Sequence, residues 1–163
     1  MNTDEMTALV ISDEPICQKQ YHDKRKDVTW ENCTLRAWLN GEYYDKTFSD
    51  AEKGAIIECK IHTPDNTVWT TKGGNDNRDK IWLPSIGEAK KYMKRKSDRF
   101  TCNWWWLRTP GCFSYCAAYV LETGSIILPG YYVNDEEYMF IRLAFKINLK
   151  SEFFTSPDGV PEN

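Results

Sequence analysis

The chain has 163 residues, 41% hydrophobic and 28% charged, with 21 Lys and Arg against 24 Asp and Glu. That is the length of one domain with enough apolar side chain for a packed core. The net charge of −3 comes from interspersed signs, which argues against a nucleic-acid partner. No apolar run approaches the roughly 18 residues that span a bilayer, so membrane insertion is not expected. Residues 1–5 are polar and acidic and lack the basic and apolar regions of a signal peptide. Six cysteines, at 17, 33, 59, 102, 112 and 116, allow about 15 pairings. With no secretory signal, free and partly buried thiols are the default.

In chain order, residues 7–12 (TALVIS) read as a short buried strand, and the polar stretch 13–27 as loop. Leu35, Trp38 and Leu39 recur at the spacing of one helix face, with Thr34 as the N-cap and Gly41 interrupting the pattern. Ser49-Asp50-Ala51-Glu52 and Ser85-Ile86-Gly87-Glu88 both have the spacing of a capping box, in which hydroxyl and carboxylate satisfy each other's orphan N–H groups. The first opens a helix that buries Ala55, Ile56 and Cys59; the second opens one that runs through Met93. Between them lie loop chemistry at 62–66 and 73–77 and a short strand at 80–83. After Asn103 the grammar becomes that of strands: 104–108, 117–121, 125–128, a short piece at 131–134, and a long final strand at 139–149. Pro129-Gly130 reads as a turn between two of them. The fold class is α+β, with helices in the N-terminal half and short antiparallel strands in the C-terminal half. One domain is expected over residues 1–150, followed by a frayed tail over 151–163.

Catalytic chemistry is hard to place. The only histidines, His22 and His62, both sit in polar loops, and neither is beside a nucleophile in a recognisable pattern. Cys59 and His62 are spaced as Cys-x-x-His, and Cys112 and Cys116 as Cys-x-x-x-Cys. A structural zinc site would need both pairs to converge, and no metal is expected. The Gly73–Asp79 loop lacks the calcium-loop spacing, and Asx-turn chemistry accounts for it. No cofactor is implied. Arg108 and Arg142 are suited to holding loops by donating to backbone carbonyls. Strand alternation buries one or two of Trp104, Trp105 and Trp106.

Residues 112–138 hold the candidate site. Period-two phasing puts Ala118 and Val120 on one strand face and Tyr119 and Leu121 on the other, with Ile126 inward and Ile127 outward. If the small residues face the core, Tyr119, Leu121 and Ile127 join Phe113, Tyr115, Tyr131, Tyr132 and Tyr138 in an aromatic surface. Tyrosine-rich surfaces give large contact area at small rotamer cost. Asn134 and Glu136 would add polar specificity. The competing reading is that the same rings only complete a small core.

Taken in one order over most of residues 8–149, several segments resemble a family of uncharacterised bacterial domains with a C-type-lectin-like fold. They are DVTWENCTLRAWLN at 27–40, GGND at 73–76, DKIWLPS at 79–85, EAKKY at 88–92, WWWLRTPG at 104–111 and AAYV at 117–120. The stretch from Trp106 to Ala144 is also similar to the variable region of diversity-generating retroelement proteins, in which a lectin-like scaffold displays mutagenised surface positions. Such proteins carry Gly-Val-Arg-Pro-Ala before the last strand, where this chain has Phe140-Ile141-Arg142-Leu143-Ala144. The resemblance implies paired terminal strands, no enzymatic activity, and a variable face that takes a protein or cell-surface ligand. Two alternatives are a relative of the formylglycine-generating oxidases, which use paired cysteines, and a structural module of a surface protein. Calcium motifs of sugar-binding lectins are absent from the sequence.

Overall fold

The computed structural model describes residues 6–155. The expectations for residues 1–5 and for Ser156-Pro157-Asp158-Gly159 lie outside the described residues. The architecture is mixed α and β, with two larger sheets and a two-stranded ribbon. In the first sheet, β1 (Thr7–Ile11) pairs antiparallel with β11 (Ala144–Asn148) in the register Ala8↔Ile147 and Val10↔Phe145. The terminal strands are thus neighbours. Strand β11 also pairs antiparallel with β3 (Ile56–Ile57) and β6 (Ile81–Trp82). The second sheet runs β2 (Cys17–Gln18), β10 (Met139–Ile141), β7 (Trp104–Pro110), β8 (Cys116–Val120), β9 (Ile126–Tyr132). The separate ribbon joins β4 (Cys59–Ile61) to β5 (Asn77–Asp79).

Strands occur in both halves of the chain and a short helix follows the last of them, so the two classes are not divided between its halves. Helix α1 (Thr34–Trp38) runs through a wide π-type turn at Leu39–Tyr43 into α2 (Tyr44–Thr47). Gly41 breaks the helical dihedrals there (φ −118°, ψ −105°). The N-cap of α1 is Cys33, not the expected Thr34: its sulfur accepts the Arg36 N–H, while the Thr34 hydroxyl accepts from the Asp23 N–H. Helices α3 (Asp50–Ala55) and α4 (Ile86–Tyr92) begin at the two capping boxes, with Ser49–Glu52 and Ser85–Glu88 contacts made in both directions. Ile56 and Cys59 lie beyond α3, because the chain turns extended at Ile56. Short helices α5 (Lys96–Arg99) and α6 (Glu152–Thr155) complete the set, α6 placing one helical turn in the segment expected to fray. Among the described residues no helix is long and apolar enough to cross a membrane.

Four strand expectations need correction. Strand β1 is half-buried, not buried, because it lies at a sheet edge. The stretch read as loop contains β2, which gains its pairing from β10 far along the chain. The long final strand is two strands in different sheets, joined at Arg142-Leu143. There Arg142 donates to the Ser12 and Asp98 carbonyls and lies over the Trp105 ring, which fixes the step between sheets. Finally, not all pairing is antiparallel, since β10 runs parallel to β7.

The core lies on both faces of the second sheet. Trp30, Leu35, Leu39, Ile81, Leu83 and Trp106 centre the larger cluster. Trp105, Leu107, Ala118 and Val120 pack with Ala89 and Met93 of the α4 segment in the smaller one. Alternation along β7 therefore sends Trp106 one way and Trp105 and Leu107 the other, all fully buried. An apolar groove of about 220 Å³ lies against the first sheet, lined in part by Phe48, Phe145, Phe153 and Phe154.

Two buried ionic clusters tie loops to this frame. Asp79 accepts from the Trp30 indole at 2.8 Å and the Arg36 guanidinium at 2.7 Å. Arg108 reaches Glu88, the Leu83 carbonyl and the His62 carbonyl. The expected loop-holding roles of Arg108 and Arg142 are what the hydrogen bonds show.

Candidate functional site: an aromatic ribbon

Strand β9 supplies the middle of the site, Tyr131 and Tyr132, and its local geometry follows from one glycine. Instead of a turn at Pro129-Gly130 the chain stays in a single strand, with a register shift opposite Ala117–Tyr119. Gly130 adopts φ +78°, and a Cβ there would come within 2.4 Å of the Ala117 carbonyl oxygen. Only glycine accepts both the dihedral and the close approach. The bulge lets Tyr131 and Tyr132 continue in register with Ala117 and Cys116. Buried Asn66 secures it, donating to the Pro110 and Leu128 carbonyls.

Seven rings then form one continuous ribbon. Phe113 stacks on Tyr115 (5.2 Å, 12°) and Tyr115 on Tyr132 (6.2 Å, 26°). Tyr132 leads to Tyr131 at 5.7 Å, and Tyr131 meets Tyr119 and Trp104 edge-on. Trp104 lies 5.3 Å from Tyr119 and 5.6 Å from Tyr138. Phe113, Tyr132 and Tyr138 are exposed at 54%, 42% and 50%, so the ribbon reaches solvent at both ends and in the middle. Tilted and edge-to-face pairs of this kind each contribute about 0.5–1.5 kcal/mol beyond area burial.

Six of the ten expected site residues therefore lie in the ribbon, though not all as surface. Tyr119 is a correction: it is 7% exposed and belongs to the larger core cluster. The phasing was sound, but β8 is an interior strand covered on both faces, so neither alternate set points to water. Burial also pushes the Tyr119 phenol up from its ordinary value. Leu121 and Ile127 are half-buried against the same cluster, again not outward. Tyr131 is half-buried too, bridging core and surface. Asn134 and Glu136 lie on the loop after β9, held by Gln20, which donates to the Asn134 carbonyl and the Glu136 carboxylate.

Two participants were missed. Trp104 is the hub of the ribbon, and the Trp triplet held the signal: alternation puts it on the face of Trp106, at the exposed end of β7. Arg25 comes from the N-terminal loop and lies 3.6 Å above Tyr132 and 5.2 Å from Tyr115. Nothing local in the sequence marks it. Loop 23–29 is brought there by the Ser114 hydroxyl donating to Asp27 and the Val28 N–H donating to the Ser114 carbonyl.

Acidic groups rim one end. The Trp104 indole donates to Glu122, and the Asp135 carboxylate accepts the Tyr138 N–H at 2.8 Å, setting the turn that presents Tyr138. A hydrogen bond to Glu137 and that carboxylate's charge raise the Tyr138 phenol above its ordinary value.

The cysteines are free thiols. Burial, followed by the neighbouring Cys112 thiol, pushes the Cys116 thiol up to about 11. Cys33, buried at the α1 cap, is pushed up to about 12. Both are protonated at neutral pH, which is the unreactive form of a thiol. His62 is paired with Asp76 at 2.7 Å, away from any cysteine cluster. Among the described residues no group of three or more His, Cys, Asp or Glu side chains is arranged to hold a metal ion.

Comparison with curated proteins and with solved structures returned no match. Residues 5–149, most of the chain, match the sequence profile of one family, and the protein thus belongs to the family described as Domain of unknown function (DUF6273).

Proposed function

We propose that this chain is a ligand-binding protein whose C-type-lectin-like scaffold presents the aromatic ribbon as a variable recognition face for a protein or cell-surface ligand. The observation that carries this reading is the contiguity of the ribbon: rings from β7, β8, β9 and the two flanking loops contact one another in an unbroken series, with three of them open to solvent. Large rigid rings anchored from below are the side chains that dominate binding energy at interfaces. The pairing of the terminal strands and the helices packed against the second sheet support the lectin-like scaffold. Retroelement diversification is supported only by the resemblance of the stretch from Trp106 to Ala144, and a template repeat near the gene differing mainly at adenines is its expected genetic mark.

Panning a random peptide library on the wild-type protein tests the binding reading. The comparison protein carries Phe113→Ser, Tyr132→Ser and Tyr138→Ser, three exposed changes that leave the core intact. Enriched peptides are expected to bind the triple variant at least about 30-fold more weakly, since each interface aromatic is worth roughly 1 kcal/mol or more. Equal binding to both proteins rejects the ribbon as the recognition face.

A further inference from the structure

The acidic end of the ribbon has the composition of a cation site. A cleft of about 190 Å³ opens there, lined by Cys102, Asn103, Trp104, Glu122, Glu137, Tyr138 and Phe140. Three aromatic side chains and two carboxylates line it, with no cationic side chain among them. Trp104 and Tyr138 stand 5.6 Å apart at 37°, forming a corner, not a closed slot. Glu122 accepts from the Trp104 indole, which holds that carboxylate beside the ring. Glu137 is the chain neighbour of Tyr138 and lines the same cleft. Each carboxylate keeps an oxygen for a further donor.

The middle of the same ribbon shows what such rings accept. Arg25 places a guanidinium 3.6 Å above Tyr132, so a cation from the chain itself already lies on a ring face there. No Lys or Arg lines the Trp104–Tyr138 corner, and the loop that bounds it adds Asp135 and Glu136 to the negative charge.

We infer that the Trp104–Tyr138 corner binds an arginine side chain of the partner protein, the planar guanidinium stacking on a ring face while its N–H groups reach Glu122 and Glu137. This rests on the recognition reading above and names the chemistry of one part of that face. Ring quadrupole and carboxylate charge favour the same cation, and a planar fork suits the paired oxygens better than a point ammonium does. Attraction of this kind weakens as salt rises.

The test uses N-acetylarginine amide as probe and N-acetylcitrulline amide as its neutral, nearly isosteric control. Binding is read from the Trp104 indole and Tyr138 ring resonances. Saturable shifts with the arginine probe in the millimolar range are expected, with no saturation by the citrulline control. Glu122→Gln with Glu137→Gln keeps both hydrogen-bond acceptors and removes the charge. That variant is expected to weaken the probe roughly three- to tenfold, and 0.5 M salt is expected to weaken it in the wild type. No shift with the arginine probe, or equal shifts with both probes, overturns the assignment. A second panning comparison with Phe113→Ser and Tyr132→Ser alone leaves Tyr138 in place, so the two proposals fail separately.

Discussion

Replacing Arg108 by Ala lowers stability by about 3–5 kcal/mol, the expected cost of removing one member of a buried ion pair. Its side chain is 3% exposed and serves three acceptors at once: Glu88, the Leu83 carbonyl at 2.8 Å and the His62 carbonyl at 2.7 Å. Glu88 is also the second half of the α4 capping box, so the change loosens a helix start as well as two loops. Without the guanidinium, the two carbonyls lose a buried donor, each worth about 1–3 kcal/mol if nothing replaces it. For a chain of this length the melting temperature should fall by roughly 6–20 °C. Arg108→Lys keeps the charge but not the fork, and should recover only part of the loss. Denaturant unfolding measures both. A loss below about 1 kcal/mol for the Ala variant contradicts this account of how the loops under the site are held.

Asp79→Ala should be nearly as damaging. The carboxylate is fully buried and holds the Trp30 indole and the Arg36 guanidinium. Removing it leaves a completely buried indole N–H without an acceptor and a guanidinium without its charge partner, at a cost of about 3–5 kcal/mol. Asp79→Asn retains one acceptor oxygen, so a clearly smaller loss is expected. The Trp30 indole proton provides a second readout: its hydrogen exchange should quicken in the Ala variant and change less in the Asn variant. Equal stability of wild type and Ala variant would show that the buried cluster is not what ties the Trp30 turn to β5.

Legibility in the sequence followed the range of the interaction. Both capping boxes were readable because donor and acceptor lie three residues apart. The kink at Gly41 was readable for the same reason. Strand β2 was not, since a two-residue strand exists only through its pairing with Phe140 and Ile141, over 100 residues away. The split of the last strand was also invisible locally: an apolar run reads the same whether it stays in one sheet or crosses between two. Pro129-Gly130 carries turn chemistry, yet it builds a bulge, because the left-handed Gly130 is accommodated against Ala117 inside the sheet.

The site was legible in composition and less so in orientation. Alternation correctly separated Ala118 and Val120 from Tyr119, but it cannot say whether one or both faces of a strand are covered. With helix α4 on one side and the main core on the other, Tyr119 became structure. Exposure was retained where the chain leaves the central sheet, at Phe113, Tyr132 and Tyr138. Arg25 could not be read at all, since its place over Tyr132 depends on a loop docked by Asp27 and Val28.

The most direct measurement maps where a peptide selected by panning touches the protein, by the resonances it perturbs. The account predicts a footprint running along Phe113, Tyr115, Tyr132 and Tyr138, with silence at Phe48, Phe145 and Phe154 in the groove on the other sheet. A footprint centred on that groove, with the tyrosine signals unmoved, contradicts it.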